Sequence, residues 1–519
     1  MARMKRSGAL VIAVVLSTWL PTAPPASATP RHEQQRAARV RVAGDPEITT
    51  KRLPRAFVER PYSVALTTAD GRRGTWSIDA GRLPRGLRLR GATIGGRAGL
   101  QESRQVTLRF TDRRGRSDTT RLAIKAVRGP VDRATRWVSL TVGWTTSCGV
   151  RTDGSGWCWG DNTYAAVGDG TTADRTVPIQ LPGTWASLAT DGATTCGLAT
   201  DGTGWCWGLN VFGSVGDGTT SDALSPVALQ GEWTSLAGGA APCGIRTDET
   251  GWCWGYNAGG LVGDGTTDDR LTPYQLPGTW RSIVQGYTDT CGIQTDGSAW
   301  CWGGNAHGTV GDGTTTDRLS PVQLPGHWTS LSLGTDTVCG VRQDGSGWCW
   351  GANALGEVGD GTTVDRTEPV QLPGSWRSIV TTFGSTCGVR TDGTGWCWGR
   401  NDSGQVGDAT TTDRAEPVQL PGGWSSLEVT GASVCGVRAD DTGWCWGRND
   451  SGQLGDGTTR RRTAPVQLPG RWARLAPGAS VSGGIRLFGS GWVWGGNGHG
   501  EVGDGTYHRR TTPTRVFTW

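Results

Sequence analysis

Cys387-Gly-Val-Arg-Thr-Asp392-Gly-Thr-Gly-Trp-Cys397-Trp398 is the stretch that decides how this chain folds. Two short runs flank a turn centred on Asp392, and Gly393 and Gly395 supply residues free to take positive φ. The two cysteines lie symmetrically about that centre. An antiparallel pair therefore sets them face to face with Cα atoms about 4.5–5.5 Å apart, inside the window for a disulfide. The same spacing recurs for Cys148 with Cys158, Cys196 with Cys206, Cys243 with Cys253, Cys291 with Cys301, Cys339 with Cys349 and Cys435 with Cys445, every 47 or 48 residues. An eighth copy carries Gly483 and Val493 instead, so both cysteines are lost together. Residues that appear and vanish as a pair are read as bonded to each other. A bond closing so short a loop contributes roughly 2.5–3 kcal/mol and pins its hairpin against register slip. A zinc site does not fit, because nine residues separate the cysteines and no histidine lies near them.

The rest of the unit, Trp376 to Gly422, supplies three more segments. Trp376-Arg-Ser-Ile-Val380 alternates as a strand A. Cys387 to Thr391 forms B, Trp396-Cys397-Trp398 forms C, and Glu416-Pro-Val-Gln-Leu420 forms D, with Pro417 suited to an edge or a strand start. The opening tryptophan recurs at 137, 185, 233, 280, 328, 376, 424 and 472, and Trp519 falls where a ninth unit would begin. A period near 48 with several strands per unit is the signature of a β-propeller. The two tryptophans of strand C share a face and are expected to wedge between neighbouring blades. Gly-Asp-Gly-Thr recurs at 168–171, 216–219, 263–266, 311–314, 359–362, 455–458 and 503–506, with Ala409 replacing a glycine in the sixth copy. Asp-Arg follows in several copies, and the expectation is a turn whose Asp–Arg pair stitches blades. Its spacing matches no EF-hand or β-roll calcium loop.

Trp398-Gly-Arg-Asn-Asp-Ser-Gly-Gln-Val-Gly-Asp408, followed by Asp-Arg and Pro-Val, resembles the regulator of chromosome condensation (RCC-type) repeat, also found in α-tubulin suppressor-like proteins. The resemblance covers about 380 residues and recurs eight times. It implies a β-propeller, usually of seven blades. The eight units here favour an eight-bladed ring, with seven blades plus a satellite unit as the alternative.

Residues 46–128 carry short alternating runs, such as Gln105-Val-Thr-Leu-Arg-Phe110 and Arg121-Leu-Ala-Ile-Lys125, separated by Asp70-Gly71 and Arg114-Gly115. This is the pattern of a small β-sandwich. Pro61-Tyr62, Trp76-Ser77, Leu83-Pro84-Arg85-Gly86-Leu87 and Phe110-Thr111-Asp112 resemble the immunoglobulin-like domains of bacterial surface proteins. The likeness departs at Ile94-Gly95-Gly96-Arg97, where such domains often have a Gly-Thr-Pro turn. The fold class is therefore all-β: an immunoglobulin-like sandwich over 46–128, then a propeller over 137–519, with linkers at 29–45 and 129–136.

Residues 1–28 have the form of a secretory signal. Arg3, Lys5 and Arg6 precede an apolar run, Ala9 to Leu16, too short to span a bilayer, and Ala26-Ser27-Ala28 follows as a cleavage site. Export into an oxidising compartment agrees with the paired cysteines. No later segment is apolar enough to cross a membrane. Residues 29–136 hold 25 basic and 10 acidic residues, whereas 137–519 hold 23 and 36. The basic half suits an anionic envelope polymer. The acidic half argues against nucleic acid, which demands a basic surface.

Comparing the units locates a candidate face. The B–C turn and the Leu-Pro-Gly turn between D and A hardly vary. The A–B connection and the start of the C–D connection, which emerge together on the other face, vary almost completely. Their bulky and acidic variants are Trp144, Tyr164, Asp191, Phe212, Tyr256, Tyr287, Asp289, His307, Asp336, Leu355, Phe383 and His499. Aromatics with scattered carboxylates are what protein-binding surfaces use. No nucleophile–base arrangement, phosphate loop or metal-ligand pairing stands out. The propeller's histidines, His307, His327, His499 and His508, fall at non-equivalent or weakly related positions. The expectation is a monomeric, non-enzymatic protein without cofactor or metal. It is secreted, with wall association suggested by its basic half, and binds an extracellular protein or glycan. The alternatives are nucleotide exchange or chromatin association, which the resemblance implies for nuclear members, and a structural wall protein.

Overall fold

The computed structural model describes residues 45–57, 61–98, 102–127 and 136–516. The expected leader, nearly all of both expected linkers and Trp519 lie outside these residues. The chain divides into two compact units, 1–129 and 130–519. Every regular element among the described residues is a strand.

The first unit holds β1 (Ala56–Phe57), β2 (Pro61–Ala65), β3 (Gly74–Gly81), β4 (Leu87–Arg90), β5 (Thr93–Arg97), β6 (Glu102–Asp112) and β7 (Ser117–Val127). One sheet runs β1-β7-β6-β3 and the other β2-β5-β4, with β1 parallel to β7. Alternation buries Val106 and Leu108 of β6 and Leu122 and Ile124 of β7. These meet Tyr62, Leu87 and Ile94 from the second sheet in one core. The segment Ile94 to Arg97 is not a turn. It is the middle strand of its sheet, paired on both sides, and Gly95 and Gly96 sit in the ladder.

In the second unit, eight four-stranded antiparallel meanders follow one another. Blade 1 is built from Trp137–Val142, Thr146–Arg151, Gly156–Gly160 and Arg175–Gln180. From blade 2 onward, strand D of one blade continues into strand A of the next. Arg366–Thr382 serves as D of blade 5 and A of blade 6. In every stapled blade the cysteines oppose each other across strands B and C, as Cys387 opposes Cys397. All seven expected disulfides form. Cys148 bonds to Cys158, Cys196 to Cys206, Cys243 to Cys253, Cys291 to Cys301, Cys339 to Cys349, Cys387 to Cys397 and Cys435 to Cys445. Their Cα atoms lie 4.1 Å apart in each blade, nearer than the expected spacing.

The ring closes at eight. The second tryptophan of strand C donates its indole N–H to a backbone carbonyl in the preceding blade's C–D loop, as Trp446 Nε1 does to Gln405 O at 2.8 Å. The same bond joins blade 8 to blade 1, from Trp159 Nε1 to Glu501 O at 2.7 Å. A satellite unit would break this series, so the seven-blade alternative is set aside. The opening tryptophan wedges between blades where two strands carry glycine. A Cβ on Gly395 of blade 6 would lie 2.5 Å from Trp424 Cδ1, and one on Gly436 of blade 7 would lie 2.8 Å from its Cε3.

Two expectations need correction. The tryptophans of strand C do not act alike. Trp398 and its equivalents are fully buried at the blade interface, but Trp396 is half-buried and donates to Thr394 Oγ1 at 2.8 Å. Arg390 lies over Trp396 at 3.9 Å and over Trp376 at 5.0 Å, and donates to Pro373 O at 2.9 Å. Five further blades repeat the stack, whereas blade 2 has Ala199 and blade 4 has Gln294 at that position. The Asp–Arg ion pair also does not stitch blades. Arg366 pairs with Asp360, and Asp365 Oδ1 accepts from Asn353 N at 2.9 Å, both within one loop. The stitch is a glycine amide, Gly361 N to Ala415 O of the next blade at 2.8 Å. The ion pair thus holds its own loop in shape, while glycine amides, and at two seams an Asp–His contact, bridge blades.

Candidate functional site: the A–B and C–D loop face

Because each blade is an A-B-C-D meander, its A–B and C–D connections emerge on one face and its B–C and D–A turns on the other. Strands A lie innermost, so the A–B loops ring the mouth of the central channel and the C–D loops lie outside them. Trp144 of blade 1 and Phe383 of blade 6 pack edge-on with ring centroids 5.9 Å apart. Rings from blades so far apart meet only by reaching across the mouth. Both stay accessible, Trp144 at 58% and Phe383 at 37%, and Phe383 takes a left-handed φ of 46° followed by Gly384 at 84°. That conformation is costly for a bulky residue and is held by the tight A–B turn.

The other predicted residues divide. Phe212 and Tyr256 pack together at 4.9 Å on the C–D loops of blades 2 and 3, both half-buried. Tyr287 is 72% exposed, and Tyr164 and Leu355 are also exposed. Asp191 is half-buried and closes its own turn, its Oδ1 accepting from Ala193 N at 2.8 Å and Thr194 N at 2.9 Å. Asp336 is half-buried. The twelve residues therefore do not form one continuous patch. The structure brings together Trp144 with Phe383, and Phe212 with Tyr256.

Asp289 is not a surface residue. It is 1% exposed, and neither carboxylate oxygen has a hydrogen-bond partner. Burial, and secondarily the charge of Asp336, hold its pKa well above the ordinary carboxylate value. Five other blades place a hydroxyl at this point of strand B, and each donates to the carbonyl at the start of its C–D loop, as Thr337 Oγ1 does to Ala352 O at 2.8 Å. The sequence contained this signal, since Asp289 stands two residues before Cys291 just as Thr337 stands two before Cys339.

The histidines also differ from expectation. His307 and His499 are equivalent, each two residues past the buried asparagine of its loop, and each reaches the next blade. His307 Nδ1 lies 2.8 Å from Asp365 Oδ2, and His499 Nδ1 lies 3.0 Å from Asp174 Oδ2. The Asp365 hydrogen bond raises the pKa of His307 against the opposing effect of burial. Where Asp-Arg follows, the Gly-Asp-Gly-Thr carboxylates are engaged on both oxygens, whereas Asp217 of blade 2 has Ala223 instead of an arginine and accepts at Oδ1. Asp360 Oδ1 accepts from Thr362 N, Thr362 Oγ1 and Asn353 Nδ2, while Oδ2 faces Arg366. Burial pushes such a carboxyl up, but these donors outweigh it and leave its pKa lowered.

The geometry defines a disulfide-stapled, eight-bladed β-propeller with an aromatic pair over its channel. Residues 440–484, from the B–C turn of blade 7 to strand B of blade 8, match the model of the regulator of chromosome condensation (RCC1) repeat. Human WBSCR16 is similar in fold, with a TM-score of 0.52 and 18% identity over 62% of this chain and 96% of that one. Yeast RCC1 (Prp20) in its Kap60-bound structure has a TM-score of 0.50 and 17% identity over 60% of this chain and 83% of that one. No curated protein sequence matches the chain. The second unit is an RCC-type repeat β-propeller.

Proposed function

We propose that this protein is a secreted or envelope-associated, non-catalytic binding module that takes a protein, or a glycan, on the A–B/C–D loop face. The observation that carries this reading is the exposed Trp144–Phe383 pair across the channel mouth. Exposed aromatics held in fixed geometry are costly in water and supply the anchor residues of interfaces. Tyr287 and the Phe212–Tyr256 pair extend the same chemistry outward. The opposite face consists of repeated turns whose polar groups are tied to one another. Seven disulfides indicate an oxidising, extracellular environment. Among the described residues, no helix is long and apolar enough to cross a membrane. The acidic propeller disfavours chromatin, and the disulfides disfavour a cytosolic exchange factor. The basic first unit suits attachment to an anionic wall polymer.

The test is capture from culture supernatant and envelope with the oxidised protein, followed by the Trp144→Ala/Phe383→Ala double variant. The expected result is loss of the captured partner while thermal melting stays within a few degrees. Undiminished capture by the double variant would falsify the face assignment.

A further inference from the structure

We infer that the seam between blades 8 and 1 carries a site for a first-row divalent transition metal of the zinc class, ligated by His499, Asp174 and Asp161. One ligand atom from each of these residues lies within 4.8 Å of the other two, and His499 Nδ1 to Asp174 Oδ2 is already 3.0 Å. Ligands about 2.0–2.2 Å from a tetrahedral zinc lie roughly 3.3–3.6 Å apart, so small side-chain rotations close the set. An imidazole with two carboxylates selects this class of metal over calcium, which takes oxygen ligands alone.

The ligands are positioned by their own loops. Asp161 Oδ1 accepts from Thr163 N at 2.9 Å and Thr163 Oγ1 at 2.7 Å. Asp174 Oδ1 accepts from Asn162 N at 3.0 Å, which turns Oδ2 toward the imidazole. The backbone N–H of His499 donates to Glu501 Oε2 at 2.8 Å and fixes the loop that carries it. Such outer hydrogen bonds orient metal ligands and hold the site in shape.

The molecule contains its own control. Between blades 4 and 5, His307 and Asp365 repeat the pair at 2.8 Å, but Ala352 stands where blade 1 has Asp161. Two ligands there, three at the seam: only the seam holds enough to retain an ion. A metal at the seam would bridge the first blade to the last, which the disulfides do not do, since each lies within one blade.

The experiment is titration of tag-free, EDTA-treated, oxidised protein with zinc chloride by calorimetry, with cobalt(II) absorption as a spectroscopic readout. No free cysteine competes, because all fourteen are disulfide-bonded. One equivalent of zinc is expected per chain. His499→Ala and Asp161→Ala should each weaken it at least tenfold, the scale at which even outer-shell changes act. His307→Ala should leave it unchanged, and Ala352→Asp should raise the stoichiometry from one to two. Melting in EDTA verifies that each variant folds. No saturable binding, or binding that survives His499→Ala, overturns the assignment.

Discussion

Blades 7 and 8 are neighbours with the same strands and the same tryptophans, yet only blade 7 is stapled. In blade 7, Cys435 opposes Cys445. In blade 8, Gly483 opposes Val493 in the same register. The surrounding contacts persist as well. Trp424 lies 5.6 Å from Trp446 and Trp472 lies 5.6 Å from Trp494. The blade geometry therefore comes from tryptophan packing and strand pairing, and the disulfide reinforces a hairpin already in register. What blade 8 gains is fit. A Cβ on Gly483 would lie 2.8 Å from Val142 Cγ2, so the missing side chain makes room for strand A of blade 1 at the closure.

Removing a tryptophan should disturb either blade most. Trp446→Ala and Trp494→Ala should each cost about 3–5 kcal/mol in chemical denaturation, whichever blade is stapled. A much smaller loss for Trp494→Ala would mean that the closing blade packs differently. Next in size, Cys435→Ala/Cys445→Ala should cost about 2–3 kcal/mol. The converse pair, Gly483→Cys/Val493→Cys, should form its bond yet gain little until Val142→Ala relieves the crowding. A full gain without that third change would refute the fitting role of Gly483.

Asp289→Thr supplies the hydroxyl found in five other blades and should stabilise the fold by roughly 1–3 kcal/mol at pH 7, the cost of a buried polar group left unpaired. Its sign with pH is fixed. The folded carboxyl has a raised pKa and stays protonated where the unfolded one ionises, so wild type loses stability as pH rises above about 4. The advantage of Asp289→Thr should therefore shrink at pH 3.5 to the cost of the neutral carboxyl's missing partners. If it is unchanged there, the ionisation argument fails. Smallest of all, Ala199→Arg should complete the guanidinium–tryptophan stack absent from blade 2 and add about 0.5–1 kcal/mol, seen as a small rise in melting temperature.

Much of this architecture was legible because repetition made the sequence its own alignment. Cysteine spacing set the B–C register, and the recurring tryptophan set the blade count. The rest depended on relations between units. Trp144 and Phe383 meet only because the ring closes across 239 residues. His499 finds Asp174 only because blade 8 abuts blade 1. Asp289 reads as a loop residue because the A–B boundary is blurred in sequence, although its offset from Cys291 places it in strand B. Trp396 and Trp398 share a face of one strand, but Trp398 reaches Glu357 O of the preceding blade whereas Trp396 lies beneath Arg390 of its own blade, and neither partner is adjacent in sequence. The two units also differ in legibility: the sandwich shows its strands singly, with no internal copy to test Ile94 to Arg97 against.

Among the described residues, no blade borrows a strand from the far end of the chain. The final strand, Arg510–Arg515, pairs with Gly491–Gly495 of its own unit. Each repeat is thus a complete module in both sequence and structure. Duplication or deletion of a 48-residue block would change the circumference without orphaning a strand, and new termini cut at any D–A turn would leave eight intact blades. Propellers latched by a shared strand lack that freedom, and a ring assembled this way can lengthen by copying whole units.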